Sequence, residues 1–148
     1  MKPEINILLV EDNEGDIILT LQALEKAQVS NGIQVARDGE EALQYLWKKG
    51  KFKDVSTPDL ILLDINLPKI DGKEVLAEIK KDKALMVIPV VMLTTSDSEK
   101  DILESYYNPA NCFITKHVDF QKFMQVISTI KDFWVSIVKL PKSKTDKK

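Results

Sequence analysis

Residues 5–16 read INILLVEDNEGD, a largely apolar run that is followed directly by four acidic side chains. Leu8, Leu9 and Val10 favour burial, whereas the carboxylates resist it unless a cation or a hydrogen-bond donor compensates their charge. Continuous apolarity over this length is typical of a strand that is covered on both faces, as in a parallel sheet. The stretch therefore predicts a buried strand that ends at a negatively charged edge, where the charge requires a partner.

Five apolar runs predict five strands, and only the second run alternates: INILLV (5–10), IQVA (33–36), DLILLDI (59–65), VIPVVML (87–93) and NCFIT (111–115). Apolar side chains at steps of three and four predict five helices, around residues 17–28, 42–47, 75–79, 102–106 and 120–134. Asp38 and Ser96 each stand three residues before a glutamate, as in a capping box, and predict helix starts. This β-α alternation predicts an α/β fold with three layers, because each parallel connection needs a helix that covers the sheet.

Composition bounds the function only weakly. The formal net charge of −2 over 148 residues provides no general attraction to nucleic acid. The lone Cys112 excludes a disulfide framework and a multi-cysteine metal site within the chain, which favours a reducing compartment. Neither a long apolar segment nor a leader-like start is present, so we expect a cytoplasmic protein with no membrane partner. We expect one domain over residues 1–140 and a disordered lysine-rich tail over residues 141–148.

Acidic side chains stand where two of the predicted strands end. Glu11 and Asp12 follow the first strand, and Asp64 lies at the end of the third. Ligands of open parallel sheets bind outside the carboxyl ends of the strands. Carboxylates that are held close together repel each other, and at neutral pH they need a proton or a divalent ion. Magnesium suits this group, because it prefers hard oxygen ligands, and the carbonyl of Asn66 can supply a further oxygen.

With a metal ion bound, Asp64 is able to act as a nucleophile towards phosphorus. Thr94 after the fourth strand and Lys116 after the fifth supply donors that can hold the phosphoryl oxygens. Each feature also has a purely structural explanation: solvated loop acids, a helix-capping threonine and a surface lysine. Asp64 is the exception, because a charge inside an apolar run is costly without such a role. The coincidence of all these residues at strand ends favours the phosphoryl site.

These residues resemble the response-regulator receiver domain, the phosphoacceptor module of two-component signalling. The resemblance covers about residues 5–135 and rests on Glu11 and Asp12 after ILLV, Asp64 in LILLDINLPKIDG, Thr94 in VVMLTT and Lys116 in CFITKHVD. It implies a doubly wound, flavodoxin-like sheet in the strand order 2-1-3-4-5. It also implies that a histidine kinase phosphorylates Asp64 and that Mg²⁺ or Mn²⁺ is bound by Glu11, Asp12, Asp64 and the carbonyl of Asn66.

The resemblance assigns further roles around the phosphoryl group. It implies contacts from Thr94, the amide of Thr95 and Lys116, and it places Asn66 and Ser96 where receivers tune the attacking water. Any catalysis is then directed at the protein's own aspartate, so we do not expect an enzyme with another substrate.

The same resemblance predicts how phosphorylation is read. An acyl phosphate on Asp64 draws the hydroxyl of Thr94 towards it, and an aromatic side chain on the fifth strand, here Phe113, swings into the vacated space. The alternative is that Phe113 is an ordinary core residue. Receivers usually carry a proline after the active-site lysine, whereas this chain has His117, and we interpret that lone histidine as a surface residue.

The fifth predicted helix carries more apolar surface than one sheet face can cover, including Phe133, Ile137 and Val138. This apolar surface predicts a second subunit. The alternative is that the helix packs back on its own domain. The long polar connection KKGKFKDVSTP (48–58), YYNPAN (106–111) and FWVSIVKLP (133–141) resemble the small regulators that partner bacterial and cyanobacterial phytochromes. This resemblance implies a phytochrome kinase and a homodimer through the face formed by the fourth helix, the fifth strand and the fifth helix, which a protein target would also read.

Three other interpretations explain the sequence less well. A haloacid-dehalogenase-like phosphatase needs a second acid two residues after its aspartate, and Asn66 occupies that place. A flavodoxin-like carrier needs a loop after the first strand that binds phosphate, whereas EDNEGD repels it. A degenerate receiver that serves only for docking would lack one of the acids or the lysine, and all are present. A receiver without any link to phytochrome remains an alternative within the family.

Overall fold

The computed structural model describes residues 5–26, 32–94, 112–115 and residue 125. The strands are Ile7–Val10 (β1), Ile33–Ala36 (β2), Leu60–Asp64 (β3), Val90–Thr94 (β4) and Cys112–Thr115 (β5). The helices within these ranges are Glu14–Lys26 (α1), Gly39–Leu46 (α2) and Gly72–Lys81 (α3), with a short 3₁₀ turn at Gly50–Phe52. The fourth predicted helix, the Ser96 cap and the predicted tail lie outside the described residues, as does the fifth predicted helix apart from residue 125.

The five strands form one parallel sheet in the order β2-β1-β3-β4-β5, which confirms the predicted topology. β1 pairs with β2 on one side and with β3 on the other, with Val10 opposite both Ala36 and Leu63. The strands that follow β1 in the chain therefore lie on opposite sides of it: β2 on one side, and β3 to β5 on the other. Since all strands run the same way, the residues that follow them lie together along one edge, which we call the carboxyl edge.

The two faces of the sheet bury separate hydrophobic clusters. On one face Leu8, Val10 and Met92 belong to a cluster with buried side chains of α2 and α3. On the other face Leu9 and Leu62 belong to a cluster with buried side chains of α1. Helices thus cover both faces, as the continuous apolar strands predicted. β2 is one of the two edge strands of the sheet and is only partly buried, which agrees with its alternating sequence.

The fourth strand is shorter at its start than the sequence predicted. The apolar run begins at residue 87, but β4 begins at Val90, after Pro89. Residues 85–88 form a turn in which the amide of Ile88 donates to the carbonyl of Leu85 at 3.0 Å. Val87 is consequently 78% exposed. Proline has no amide to donate to a strand ladder, so an apolar run that contains it overstates the strand.

Side-chain caps start the three described helices. Asp38 caps α2 by accepting a hydrogen bond from the amide of Glu41 at 2.7 Å, which confirms the predicted start. Asp71 caps α3 in the same way through the amide of Glu74 at 2.9 Å. Asn13 precedes α1 and accepts from the amide of Asp16 at 2.9 Å. Capping satisfies amides that the first turn of a helix leaves without partners.

The connection at 48–58 is less polar in the structure than its lysine-rich sequence predicted. Phe52 in the 3₁₀ turn packs edge-on against the ring of Tyr45, with 5.3 Å between the centroids. Phe52 and Val55 are partly buried against the cluster on the α2 side of the sheet. Among the residues described, no helix is long and apolar enough to cross a membrane.

Candidate functional site

The backbone of Glu11 continues the parallel ladder one residue beyond β1. Its amide donates to the carbonyl of Ala36 at 2.9 Å, so the residue stays in the sheet, and its side chain is fully buried. One carboxylate oxygen accepts a hydrogen bond from the amide of Asn13 at 3.2 Å. Asp12 follows on the exposed side of the edge. The end of β1 therefore carries one buried and one exposed carboxylate.

Asp64 is the last residue of β3, the central strand, and its side chain is 2% exposed. Its carboxylate accepts a hydrogen bond from the amide of Asn66 at 3.2 Å. The amide of Ile65 donates to the carbonyl of Leu93 at 3.0 Å, so the backbone on both sides of Asp64 is held in the sheet. A charged side chain at this depth is costly unless donors or a cation compensate it.

The structure brings Glu11, Asp12 and Asp64 together, as the sequence predicted. One carboxylate oxygen from each lies within 4.8 Å of those of the other two. Ionised carboxylates at this separation repel one another, and water screens the repulsion at the exposed Asp12 more than at the two buried groups. Three oxygen donors of which two are buried suit a small, hard divalent cation that retains water ligands, and Mg²⁺ and Mn²⁺ both meet that description.

The fourth predicted ligand, the carbonyl of Asn66, belongs to the loop between β3 and α3. This loop begins directly after Asp64, and the side chain of Asn66 is exposed at the carboxyl edge. The loop closes at its base, where the amide of Gly72 donates to the carbonyl of Ile65 at 2.8 Å. Gly72 has no room for a side chain, because a Cβ there would lie 2.2 Å from the carbonyl oxygen of Asp64.

The predicted phosphoryl contacts lie on the other half of the sheet. Thr94 is the last residue of β4 and is paired in register with Thr115 at the end of β5. Phe113 lies in β5 opposite Met92. Thr95, Ser96, Lys116 and His117 lie outside the described residues, as do Phe133, Ile137 and Val138. β4 is adjacent to β3 in the sheet, so Thr94 ends on the strand next to that of Asp64.

Sequence reasoning overlooked two residues that follow strands at the carboxyl edge. Asn13 contributes its amide to Glu11 and its side chain to the start of α1, which ties the cluster to that helix. Its spacing of three residues from Asp16 is a capping signal that the surrounding acids obscured. Arg37 pairs with Glu14 at 2.6 Å across the edge, but both side chains are more than half exposed. Exposed pairs of this kind contribute little to stability.

Together these features define a doubly wound α/β protein with three carboxylates clustered at its carboxyl edge. Residues 7–128 match the family model described as the response regulator receiver domain. The chain belongs to that family, and the predicted resemblance is confirmed.

The relatives found by sequence and by structure include regulators of phytochrome signalling. The response regulator Rcp1 of Synechocystis sp. is 42% identical over 135 residues, which cover 91% of this chain and 92% of Rcp1. A crystal structure of the phosphorylated cyanobacterial phytochrome response regulator RcpA superposes with a TM-score of 0.78 at 48% identity, covering 91% of this chain and 96% of RcpA. A crystal structure of the Mn²⁺-bound form of Rcp1 has a TM-score of 0.74 at 42% identity and covers 88% of this chain and 94% of that one.

Proposed function

We propose that this protein is a response regulator that accepts a phosphoryl group on Asp64 from a histidine kinase, with a divalent cation held by Glu11, Asp12, Asp64 and the carbonyl of Asn66. The observation that carries the proposal is the convergence of three carboxylates within 4.8 Å at the carboxyl edge. A group that served stability alone would not place two buried carboxylates beside a third.

The position of Asp64 suits a nucleophile. It ends the central strand, and the strand ladder and the amide of Asn66 restrain it, so the carboxylate is oriented before any substrate arrives. When bound, Mg²⁺ supplies charge that offsets the repulsion between this carboxylate and an incoming phosphoryl group.

The reaction exchanges one phosphorus bond for another. A carboxylate oxygen of Asp64 forms a bond to the phosphorus, the bond from phosphorus to the kinase histidine breaks, and the electron pair of that bond stays on the imidazole nitrogen. The product is an acyl phosphate. Water later attacks that phosphorus and releases inorganic phosphate, and Asn66 and Ser96 are the residues that we propose tune this hydrolysis.

Donors from the neighbouring strands hold the transferred group in this proposal. Thr94, the amide of Thr95 and Lys116 receive the phosphoryl oxygens as charge spreads over them. The register that puts the end of β4 beside β3 supports the assignment of Thr94. Movement of Thr94 and of Phe113 then transmits the change to the surface that a protein target reads.

We propose a phytochrome histidine kinase as the phosphoryl donor and the cytoplasm as the place of action. Support comes from the similarity in sequence and fold to RcpA, described as a cyanobacterial phytochrome response regulator. We further propose that the receiver unit spans residues 1–140 and that copies pair through the face of the predicted fourth helix, the fifth strand and the predicted fifth helix, including Phe133, Ile137 and Val138. Light scattering with and without acetyl phosphate tests the pairing, and a monomer under both conditions contradicts it.

Incubation with acetyl phosphate and Mg²⁺, followed by intact-mass measurement, tests the phosphoacceptor assignment. The natural protein should gain one phosphoryl group, and Asp64→Asn should gain none. Asp54→Asn is the matched control, because Asp54 is exposed near the opposite edge of the sheet, and it should be labelled as the natural protein is. Labelling of Asp64→Asn, or no labelling of the natural protein, would refute the proposal.

A further inference from the structure

The loop between β3 and α3 is attached to the rest of the molecule at two places. Its base is closed by the hydrogen bond from the amide of Gly72 to the carbonyl of Ile65. Its outer part, Pro68 to Ile70, rests on the first residue of α2, Gly39. Asn66 lies between these two attachments. The position of its backbone therefore depends on both of them.

A tight turn with a strained backbone forms the tip of the loop. The amide of Ile70 donates to the carbonyl of Pro68 at 2.8 Å, two residues back, and Lys69 between them has a φ of 68°. Residues other than glycine rarely adopt this positive φ, and three-residue turns of this hand are rare and strained. Such strain persists only where surrounding contacts hold it.

The contact that holds the tip is made by backbone atoms of α2. The amide of Gly39 approaches the carbonyl of Pro68 at 3.4 Å. A Cβ on Gly39 would lie 1.8 Å from the carbonyl oxygen of Ile70 and 2.7 Å from its carbonyl carbon. No side chain fits in that space, so glycine is required for the tip to lie where it does.

Ion pairs reinforce the contact only weakly. The ammonium of Lys69 lies 3.7 Å from the carboxylate of Asp38 and 3.4 Å from that of Glu40, the residues on either side of Gly39. The side chain of Lys69 is 60% exposed, and water screens such pairs. The close backbone approach, and not the charge, therefore sets the distance between the tip and α2.

From these contacts we infer that Gly39 is a positioning residue for the metal site: by seating the loop tip on α2, it holds the backbone of Asn66 where its carbonyl can serve as a ligand. The inference rests on the proposed function, since it concerns the same cation. Gly39 itself touches neither the three carboxylates nor the phosphoryl group in this account. Groups that orient ligands typically change metal affinity about 10-fold or more when they are altered.

Calorimetric titration with Mn²⁺ tests the inference on three variants. Gly39→Ala should raise the dissociation constant about 10-fold. Ile70→Ala, which shortens the partly buried side chain at the tip, should raise it by a smaller factor of about two to five, and it remains informative if Gly39→Ala does not fold. Gly32→Ala is the matched control: Gly32 has a φ of 72° and is also crowded, but it precedes β2 at the opposite edge. Its dissociation constant should equal that of the natural protein.

Amide hydrogen exchange without metal provides a second measurement that general destabilisation would not reproduce. Residues 65–71 should exchange faster in Gly39→Ala than in Gly32→Ala when both are compared at equal global stability. Unchanged Mn²⁺ affinity in a folded Gly39→Ala, or in Ile70→Ala if the former does not fold, overturns the inference. Failure of the natural protein to bind Mn²⁺ would instead overturn the proposed function, so the two outcomes are distinguishable.

Discussion

The carboxyl edge and the opposite edge of the same sheet differ in which unfavourable groups they carry. At the carboxyl edge, Glu11 and Asp64 are buried charges that meet a third carboxylate within 4.8 Å. At the opposite edge, β4 begins after a turn in which the apolar side chains of Met86 and Val87 are exposed. Repulsion between carboxylates therefore lowers the stability of the folded protein at the carboxyl edge, whereas at the opposite edge stability is lowered only because some apolar side chains are not buried.

This difference separates the residues that serve a ligand from those that serve the fold. Both edges are continuous with the same buried strands, so the strands alone cannot account for the difference between the edges. Buried like charges lower the stability of the folded protein and raise its affinity for a cation. Variants at the two edges should consequently differ in their effects: removing a carboxylate at the carboxyl edge should raise the stability of the metal-free protein and weaken metal binding, whereas variants at the opposite edge should change stability alone.

The largest effect should come from the cation itself. At a Mg²⁺ concentration 100-fold above the dissociation constant, binding to the folded state alone should stabilise it by about 2.7 kcal/mol. In a domain of this size that corresponds to a rise in the melting temperature of about 5–10 °C. Differential scanning calorimetry with Mg²⁺ and with a chelator measures the shift. An equal shift in Asp64→Asn would show that the cation acts elsewhere.

Asp12→Asn should change affinity and stability in opposite directions. Removing one carboxylate from the cluster should raise the dissociation constant for Mn²⁺ about 10-fold, a change of about 1.4 kcal/mol. Without metal, the free energy of unfolding should rise by about 1 kcal/mol, because the repulsion within the cluster falls. Titration calorimetry and urea denaturation measure the two quantities. A loss of stability in metal-free Asp12→Asn would contradict the account of the carboxyl edge.

Phe52→Ala should lower stability without altering metal binding. The ring of Phe52 is partly buried and meets Tyr45 edge-on at 5.3 Å between centroids. Its loss should cost about 1–2 kcal/mol in urea denaturation, less than for a fully buried phenylalanine. The Mn²⁺ dissociation constant of the folded variant should stay as it is, and a clear change there would mean that the two edges are coupled.

Val87→Ser should have the smallest effect. The side chain is 78% exposed in the turn before β4, so little burial is lost. Surface substitutions of this kind usually change stability by within about 0.5 kcal/mol. Urea denaturation and Mn²⁺ titration should both reproduce the natural protein. A loss of more than about 1 kcal/mol would indicate that this turn is covered by a part of the protein or by a partner.

Much of the fold could be predicted from local patterns, and the errors have local causes. The five strands are confirmed, and for four of them apolar runs without alternation identify strands that are buried on both faces. Their order in the sheet, which the family resemblance implied, is confirmed as well. The start of β4 was predicted three residues early because apolarity alone does not register the missing amide of Pro89. The burial of Phe52 was overlooked because lysines dominate the sequence around it.

The carboxylate cluster was also predictable, since residues that end parallel strands share one edge wherever the chain has travelled between them. The contacts that support the cluster were not. The seating of Ile70 on Gly39 joins residues 31 positions apart, and no periodicity in either segment indicates it.

The sequence by itself determined the order of the elements, the burial of the strands and the identity of the acids at their ends. These properties follow from the local spacing of apolar and charged side chains, which the backbone periods of helix and strand convert directly into faces and edges. The tertiary structure alone decided that the loop after Asp64 rests on α2 and that Gly39 must lack a side chain there. Such a contact depends on how separate segments approach in three dimensions, where a difference of one or two ångströms decides whether a side chain fits.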